Sequence, residues 1–593
     1  MGRLQLKKPE ITPKQVSYLL VFLIIGVCVG YYLYLALTDV PIMDNWVVLA
    51  AYAEKVITGD LTLQDWFGGN ATGHHSLDAI PMIYFMVVVL KYNTVAINLL
   101  GFALSFVCFF VLLRNYRKSV SNEQNIYVLP LFLLIGLQFF TLGKWEIVSQ
   151  STSLGFYLRL LTFLLCFTYI SNLLSNKTFT ARKVVVSCLI ILYCVNFGGI
   201  GYSAAFLAAV VGAILVYWLV SFKQWNKRQY LCLGGIVLGC GVALATYLGA
   251  GLLASQVQSS DGVQPESLVT QLIALLTGGD LIPAMLYGLA GSVIHITTVE
   301  KLASAEILVF GCVILALTVV CLVLYFKKKL YQRTWLPLMF LIYGYVNILL
   351  MAMTRSGYPM YGTIASRYMF DTLLIPLSVV WILGLCIMDC EKKTRAGKGA
   401  MLAMLLPVVF LSVVTMQTNL TEMKLASSRK LYNQGLQQMV LAVDDYEDSE
   451  LSAFQSDPKF VREGVRVMKK YKLSFIADEE TVSRMYESYT TGIYNDGWVD
   501  KEMAIFVKTG ANGEITLDLQ YCPEFAVGKL KIFIDNDLAK EVALGEDANT
   551  ATITLENLPE NTYVKVKMQA DFSFVNPPDI RELSFILRGI YGN

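Results

Sequence analysis

Apolar runs of about twenty residues alternate with short polar segments along the first 417 residues of the chain. An α-helix needs about 20 apolar residues to cross the hydrocarbon of a bilayer, so each run predicts one membrane span. We expect eleven spans, at residues 16–37, 95–113, 126–142, 154–174 and 184–196, then one that ends near Phe222, then 230–254, 305–326, 335–353, 369–387 and 401–417. The predicted fold class is a polytopic α-helical membrane protein.

Three shorter apolar stretches lie in the two longest loops between these spans. Residues 80–90 follow the first span, and the sequences SLVTQLIALLTGG and LIPAMLYGLAGSVIHIT lie between residues 255 and 302. Each is too short to cross a bilayer, which favours interfacial or re-entrant helices.

Basic residues collect at alternate ends of the predicted spans. Lys and Arg clusters precede the first span and follow the second, fourth, sixth, eighth and tenth. Cytoplasmic loops carry an excess of Lys and Arg, so this spacing predicts a cytoplasmic N-terminus and an extracytoplasmic tail in a plasma membrane. The first span is long and lacks an A-x-A-like cleavage site, so we interpret it as a retained helix and not a signal peptide.

The tail after the last span changes character twice. Residues 418–490 predict a helical connector, with helices at about 423–443 and 458–470. From residue 491 to 593 short alternating runs are separated by turn sequences such as Gly-Ala-Asn-Gly and Asp-Asn-Asp. This spacing predicts a β-sandwich domain, so the expected organisation is a 1–417 membrane domain, a 418–490 connector and a 491–593 β domain.

Composition agrees with this organisation and excludes some classes of function. Hydrophobic residues make up 55% of the chain and charged residues only 16%, with a mean hydropathy of +0.55. The net charge of +2 leaves no basic stripe for nucleic acid once the clusters flanking the spans are assigned. Eleven of the 12 cysteines lie in or beside apolar spans, so Cys522 alone in the tail excludes a disulfide framework there.

The loop after the first span concentrates the polar chemistry of the chain. Residues 38–91 contain Asp39, Asp44, His74 and His75 beside the apolar spans. A carboxylate held against apolar walls at a membrane interface has a raised pKa, which suits a general base. Asp44 follows Pro41 and is close to Trp46, so it is the first candidate for that role, with Asp39 as the second.

The same loop reads PIMDNW and then TGHHSLDAIP, followed by an apolar half-span. In these motifs it resembles the first outer loop of the GT-C superfamily of membrane glycosyltransferases, whose fold would cover about residues 16–418. The resemblance implies sugar transfer from a polyprenyl-phosphate-linked donor to an acceptor outside the membrane, with Asp44 as the base. Many members carry a close acidic pair, whereas this chain has Asp44 and Asn45, so a second carboxylate role falls to Asp39 or to a residue elsewhere.

Other polar residues at the same predicted side are candidates for substrate binding. The phosphate of a lipid-linked donor is anionic, and an Arg at the top of a span offers it a bidentate fork; the alternative is an Arg that binds lipid headgroups. The candidates for sugar or phosphate contact are His74, His75, Trp46, Glu146, Arg355, Arg367 and Tyr368, with Lys144, Trp145 and His295 as further possibilities.

We expect no cofactor and no metal. Adjacent His74 and His75 diverge on a helix, and with Asp78 they do not complete a standard ligand set. The expected partners are a lipid-linked sugar donor, a cell-envelope glycan acceptor and membrane lipids. Two alternatives are a flippase of lipid-linked sugars, which predicts repeats and mid-span polar residues, and a non-catalytic scaffold that presents a glycan-binding β domain.

Overall fold

The computed structural model describes thirteen ranges of the chain. These are residues 13–67, 78–122, 125–150, 153–197, 200–221, 227–253, 268–355, 364–390, 395–494, 496–525, 528–545, 548–576 and 579–592. Two compact units are present, one formed by Met1–Leu436 with Tyr446–Leu473 and the other by Gln437–Asp445 with Ser474–Asn593.

Long apolar helices dominate the first unit. They are α1 Pro13–Ala36, α6 Thr94–Ser119, α7 Val128–Phe139, α9 Ser153–Asn176, α10 Ala181–Asn196, α11 Ile200–Ser221, α12 Lys227–Leu253, α16 Ser304–Lys327, α17 Leu336–Thr354, α19 Leu374–Met388 and α20 Arg395–Leu441. Within the described ranges, ten helical segments are long and apolar enough to cross a membrane. The chain is therefore a multi-pass helical membrane protein.

Shorter helices fill the connections. They are α2 Asn45–Val48, α3 Glu54–Thr58, α4 Leu63–Phe67, α5 Ala79–Tyr84, α8 Trp145–Ser149, α13 Leu268–Gly278, α14 Leu281–Ala290, α15 Ile296–Val299, α18 Ser366–Thr372, α21 Asp448–Leu451, α22 Pro458–Tyr471 and α23 Glu479–Ser488. Two π-helical turns, Leu49–Ala53 and Phe85–Val89, extend α2 and α5.

The centre of the helical bundle is α19. Every residue of Leu374–Met388 is buried, whereas the spanning part of α16 is buried over only 28% of its length. A helix that is apolar on all sides is stable only when its whole surface meets other apolar groups. Helix α18 leads directly into α19, so the buried α19 fixes the position of the α18 backbone and of its side chains.

One predicted span is a short helix, and two predicted short helices form a bent pair. The expected span at 184–196 corresponds to α10, which has 16 residues and is not among the ten described segments that are long enough to cross a membrane. Helices α13 and α14 meet at a bend of 100°, as expected of a re-entrant or broken pair. A Cβ at Gly311 of α16 would lie 2.2 Å from the Leu286 carbonyl oxygen, so glycine permits α14 to approach α16 closely.

Helix α20 does not end where the apolar pattern ends. The expected boundary at Gln417 lies inside one continuous helix of 47 residues, Arg395–Leu441. Such a helix is about 70 Å long, more than twice the thickness of the hydrocarbon core. The last span and the first part of the predicted connector are therefore a single rigid element.

The second unit contains two antiparallel sheets. Its strands are β1 Thr490–Ile493, β2 Val499–Lys508, β3 Ile515–Gln520, β4 Gly528–Ile534, β5 Asp537–Leu544, β6 Thr550–Leu555, β7 Tyr563–Ala570 and β8 Ile586–Gly592. One sheet has the order β1-β2-β7-β4-β5 and the other β6-β3-β8. Alternate residues such as Met503 and Leu517 belong to one shared hydrophobic core, which confirms the predicted C-terminal β domain.

Candidate active site

Hydrogen bonds join several loops at one end of the bundle, which we call the polar end. It comprises residues 38–67, 78–93, 140–150, 291–303, 355, 364–368 and 418–436. Leu142 N donates to Asn419 Oδ1 at 2.7 Å, and Thr418 Oγ1 donates to the Val293 carbonyl at 2.7 Å. The loop after α7 and the loop after α14 thus both meet α20 at Thr418 and Asn419.

Asp44 lies at the polar end on a tight turn. The residue before it, Met43, has a positive φ of 59°, and its N–H donates to the Phe454 carbonyl at 2.9 Å. Asp44 itself precedes α2 and its side chain is exposed. Since the turn is bonded to a distant segment of the chain, the position of the Asp44 carboxylate is set by tertiary contacts.

Asn45 and Tyr92 hold the other side of the same turn. Asn45 Nδ2 donates to the Ile42 carbonyl at 2.7 Å, and the Tyr92 hydroxyl donates to Asn45 Oδ1 at 2.8 Å. Burial raises the pKa of Tyr92, and the negative charge of Asp44 raises that pKa further. Tyr92 therefore remains a protonated donor, and Asn45 is fixed in place beside Asp44.

Arg367 meets this turn from α18. Its backbone N–H donates to Glu146 Oε2 at 2.8 Å, and its Nη1 lies 3.8 Å from Glu146 Oε1 and 3.9 Å from Met43 Sδ. Asp44 interacts electrostatically with the Arg367 guanidinium. The structure thus brings together three residues that were predicted from separate loops: Asp44, Glu146 and Arg367.

Arg355 and Tyr368 belong to the same cluster. Arg355 Nε donates to the Tyr368 hydroxyl at 3.0 Å. The guanidinium carbons of Arg355 and Arg367 lie 6.0 Å and 5.3 Å from the centroid of the Tyr368 ring. Two cations therefore flank one aromatic ring close to a carboxylate, which is an arrangement that can hold an anion beside a base.

Asp39 has a different environment. Its Oδ1 accepts hydrogen bonds from Thr94 N at 2.7 Å and from Thr94 Oγ1 at 2.8 Å. These bonds tie the chain after α1 to the first residue of α6. A carboxylate with two short bonds to the start of a helix acts as an anchor for that helix.

Trp46 is packed away from the cluster. Its ring is fully buried and meets Phe454 edge-to-face at 5.1 Å. A Cβ at Gly464 would lie 2.8 Å from Trp46 Cε3, so α22 presses directly on the indole. In this conformation Trp46 supports the Asp44 turn and does not present a face to a sugar.

A clamp of opposite charges holds α22 in that position. Glu54 accepts from Arg466 Nη2 at 2.8 Å, from Lys470 Nζ at 2.7 Å and from the Tyr471 hydroxyl at 3.1 Å. These bonds lower the pKa of Glu54 from 4.5 to about 2. The clamp joins α3, which follows the helical turns that carry Trp46, to α22, the helix that covers Trp46.

Of the remaining candidates Lys144, His74 and His75, only Lys144 lies in the part of the chain that the structure describes. Lys144 is buried, donates to the Phe139 carbonyl at 2.6 Å and lies within 5.3 Å of the Phe139, Tyr157 and Phe370 rings. His74 and His75 fall in residues 68–77, outside the described residues. Within the described ranges, no group of three or more His, Cys, Asp or Glu side chains is arranged to hold a metal ion.

Sequence reasoning missed an ion pair beneath the cluster. Arg159 Nη2 donates to both oxygens of Asp371 at 2.9 Å and 3.0 Å, and the Tyr343 hydroxyl donates to Asp371 at 2.6 Å. Asp371 is on α18, one turn after Arg367. An ionisable residue inside an apolar span is a functional candidate by default, and that signal was present in YLRLL and YMFDT.

Fold and site together define a multi-pass helical membrane protein with an acid–base and cationic cluster at one end. No family model matches this chain. No curated protein matches it either.

Proposed function

We propose that this protein is an integral-membrane glycosyltransferase that moves a sugar from a polyprenyl-phosphate-linked donor to a cell-envelope glycan. The observation that carries the proposal is the neighbourhood of one carboxylate and two guanidinium groups, Asp44 with Arg367 and Arg355, at one end of a helical bundle. A base beside an anion-binding group is what displacement of a phosphate from a sugar requires.

The proposed reaction is a single inverting displacement. Asp44 accepts the proton of the acceptor hydroxyl as its oxygen forms a bond to the anomeric carbon of the donor sugar. The bond between that carbon and the phosphate oxygen breaks, and the electron pair leaves with the lipid phosphate. Arg367 and Arg355 stabilise the charge that develops on this phosphate.

Glu146 has a supporting part in this proposal. It accepts the Arg367 N–H at 2.8 Å and lies 3.8 Å from the guanidinium, so it orients Arg367 without a tight bidentate pair. An Arg held in this way keeps donors available for a phosphate. The Tyr368 ring contacts both guanidinium groups and so restricts their movement. Its hydroxyl accepts a hydrogen bond from Arg355 Nε.

The side of the membrane follows from charge. Each long helix carries the chain from one end of the bundle to the other, so the order of the helices tells at which end a segment lies. By that order the end opposite the polar end holds the basic clusters at 114–118, 177–183, 227–228 and 327–333. We infer that the polar end faces the outside, where ATP and nucleotide sugars are scarce and a lipid-linked donor is the available substrate. The sequence also lacks the nucleotide motif G-x-x-x-x-G-K-[ST].

Profiling the surface glycans of a strain that carries Asp44→Asn tests the proposal in cells. Loss of one sugar substituent, with normal amounts of the variant protein in the membrane, is the expected result. Asp60→Asn is the matched control, because Asp60 is an exposed carboxylate of the same loop. If the glycans lose the substituent in a deletion strain but retain it in the Asp44→Asn strain, the role of Asp44 is wrong, and lipid translocation becomes the better account.

A further inference from the structure

A second polar cluster lies at the polar end, around a carboxylate that is completely buried. Glu422 of α20 accepts from the Tyr32 hydroxyl at 2.7 Å, from Arg429 Nε at 2.5 Å and Arg429 Nη2 at 2.7 Å. Its Oε2 also lies 2.8 Å from His295 Nε2. Both Glu422 and His295 are fully buried, so α1, the loop after α14 and α20 are joined at one carboxylate.

The Arg429 guanidinium also contacts the aromatic ring of Trp145. The guanidinium carbon lies over the Trp145 ring, 3.3 Å from the ring centroid. The two bonds to Glu422 fix the plane of the guanidinium, since a fork bound at both prongs cannot rotate. The indole therefore packs against a guanidinium that is itself held at two positions by Glu422.

Trp145 is followed directly by Glu146, the carboxylate that accepts the Arg367 N–H. Glu146 N donates to Ser366 Oγ at 3.2 Å, and Ser149 Oγ donates to the Trp145 carbonyl at 2.8 Å. The peptide between residues 145 and 146 is thus held by Arg429 on one side and by α18 on the other. Movement of the indole would displace the Glu146 carboxylate.

We propose that Arg429 is a positioning residue for the phosphate-binding arginine, acting through Trp145 and Glu146 on Arg367. The inference rests on the proposed function, because it assigns to Arg367 the contact with the donor phosphate. Glu422 is the group that holds Arg429 in place. The alternative is that the cluster only ties α20 to α1, which would stabilise the fold and leave Arg367 unaffected.

The test is a double-variant cycle on the full-length protein in detergent with a polyprenyl-phosphate sugar as donor. Arg429→Lys keeps the charge and loses the planar fork that stacks on the indole. We expect the donor KM to rise about tenfold with kcat changed by less than about threefold. In an Arg367→Ala background the same substitution is expected to have no further effect on kcat/KM, because its route to the phosphate is gone.

Two further variants keep the proposal testable if Arg429→Lys does not fold. Trp145→Leu removes the other half of the contact and is expected to raise the donor KM by a similar factor. Arg462→Lys is the control, since Arg462 pairs with Asp448 at 2.8 Å on the surface of α22. Losses that multiply in the Arg429→Lys, Arg367→Ala double variant, or a donor KM unchanged by both single variants, would overturn the proposal.

Labelling with 5-fluorotryptophan separates this inference from the proposed function. The ¹⁹F resonance of residue 145 is identified by its loss in Trp145→Phe, and it is expected to shift in Arg429→Lys and not in Arg462→Lys. If the wild-type protein transfers no sugar, the proposed function fails while this resonance still reports the contact. An unmoved resonance in Arg429→Lys contradicts the positioning role whatever the activity.

Discussion

The backbone N–H of Arg367 donates a 2.8 Å hydrogen bond to the carboxylate of Glu146. This bond joins the loop after α7 to the start of α18, two segments far apart in the sequence. Because the guanidinium of the same Arg367 reaches Met43, the residue before Asp44, three loops share one position at the polar end. The predictions below follow from that arrangement.

Arg367→Lys is expected to bind the lipid-phosphate donor more weakly than the wild-type protein. Lysine keeps a positive charge and loses the planar fork that matches phosphate oxygens. A charge-assisted hydrogen bond contributes about 1.5–3 kcal/mol, so the donor KM should rise by about tenfold or more. Steady-state transfer kinetics measure this. A KM that rises equally for the acceptor and the donor would place Arg367 in a general structural role.

Gly464→Val should destabilise the protein through Trp46. Its side chain would enter space filled by the indole, since even a Cβ lies 2.8 Å from Trp46 Cε3. Overpacking a tight contact costs about 1–3 kcal/mol. Thermal unfolding of the purified protein measures the loss. Gly435→Ala in α20 is the matched helical control, because its Cβ meets nothing within 4 Å, and that variant should be neutral or slightly stabilised.

The Glu54 clamp predicts a pH-dependent contribution to stability. The pKa of Glu54 is lowered from 4.5 to about 2 by Lys470, Arg466 and Tyr471. The folded state therefore favours the carboxylate, and this stabilisation is full above pH 4.5 and disappears as the pH falls towards about 2. Glu54→Gln should cost about 1 kcal/mol at neutral pH, the upper range for partly exposed pairs.

The measurement is the free energy of unfolding of the wild-type protein and of Glu54→Gln at several pH values from about 3 to about 7. This range covers the pH at which an ordinary Glu side chain titrates. The difference between the two should shrink as the pH falls. Glu300→Gln, which changes an exposed carboxylate, is the control. A difference that grows in acid would mean that folding raises the pKa of Glu54, which is opposite to the direction expected here.

Asp371→Asn should destabilise the protein more than removal of the whole ion pair. The single change leaves the Arg159 guanidinium buried opposite a neutral amide, which costs about 3–5 kcal/mol for a buried pair. The double variant Arg159→Met with Asp371→Leu removes both charges and should recover most of that loss. Unfolding in mixed micelles measures both variants. A double variant less stable than Asp371→Asn would contradict the expected coupling.

The fold followed from the sequence wherever one pattern decides one element. Runs of apolar residues located the ten spanning segments of the described ranges. The shortness of the two apolar stretches between residues 255 and 302 predicted interfacial or re-entrant helices, and α13 and α14 lie there. The last span was expected to end at Gln417, where hydropathy falls, and the helix continues to Leu441 because no residue from 418 to 441 breaks it. Hydropathy reports the membrane, and it does not report where a helix ends.

The sequence predicted which residues are candidates for the site, and it did not predict which of them contact one another. Asp44 was chosen for its place beside Trp46 in the first outer loop, and Arg367 because positive residues are scarce on the predicted outer side. Glu146 was chosen separately, as a residue of the outer loop after the third predicted span. Their convergence depends on backbone groups, such as Met43 N and Arg367 N, which carry no sequence signal. Trp46 shows the same limit, since the glycine that receives it is Gly464, in a helix far along the chain.

The most direct measurement of the central claim is sugar transfer by the purified protein in detergent, with Asp44→Asn compared against Asp60→Asn. Loss of a general base lowers the rate by about 100-fold or more, so Asp44→Asn should reduce kcat by at least that factor at unchanged folding. Asp60→Asn should transfer at the wild-type rate. If Asp44→Asn transfers sugar as fast as Asp60→Asn, Asp44 is not the base and the proposed mechanism is wrong.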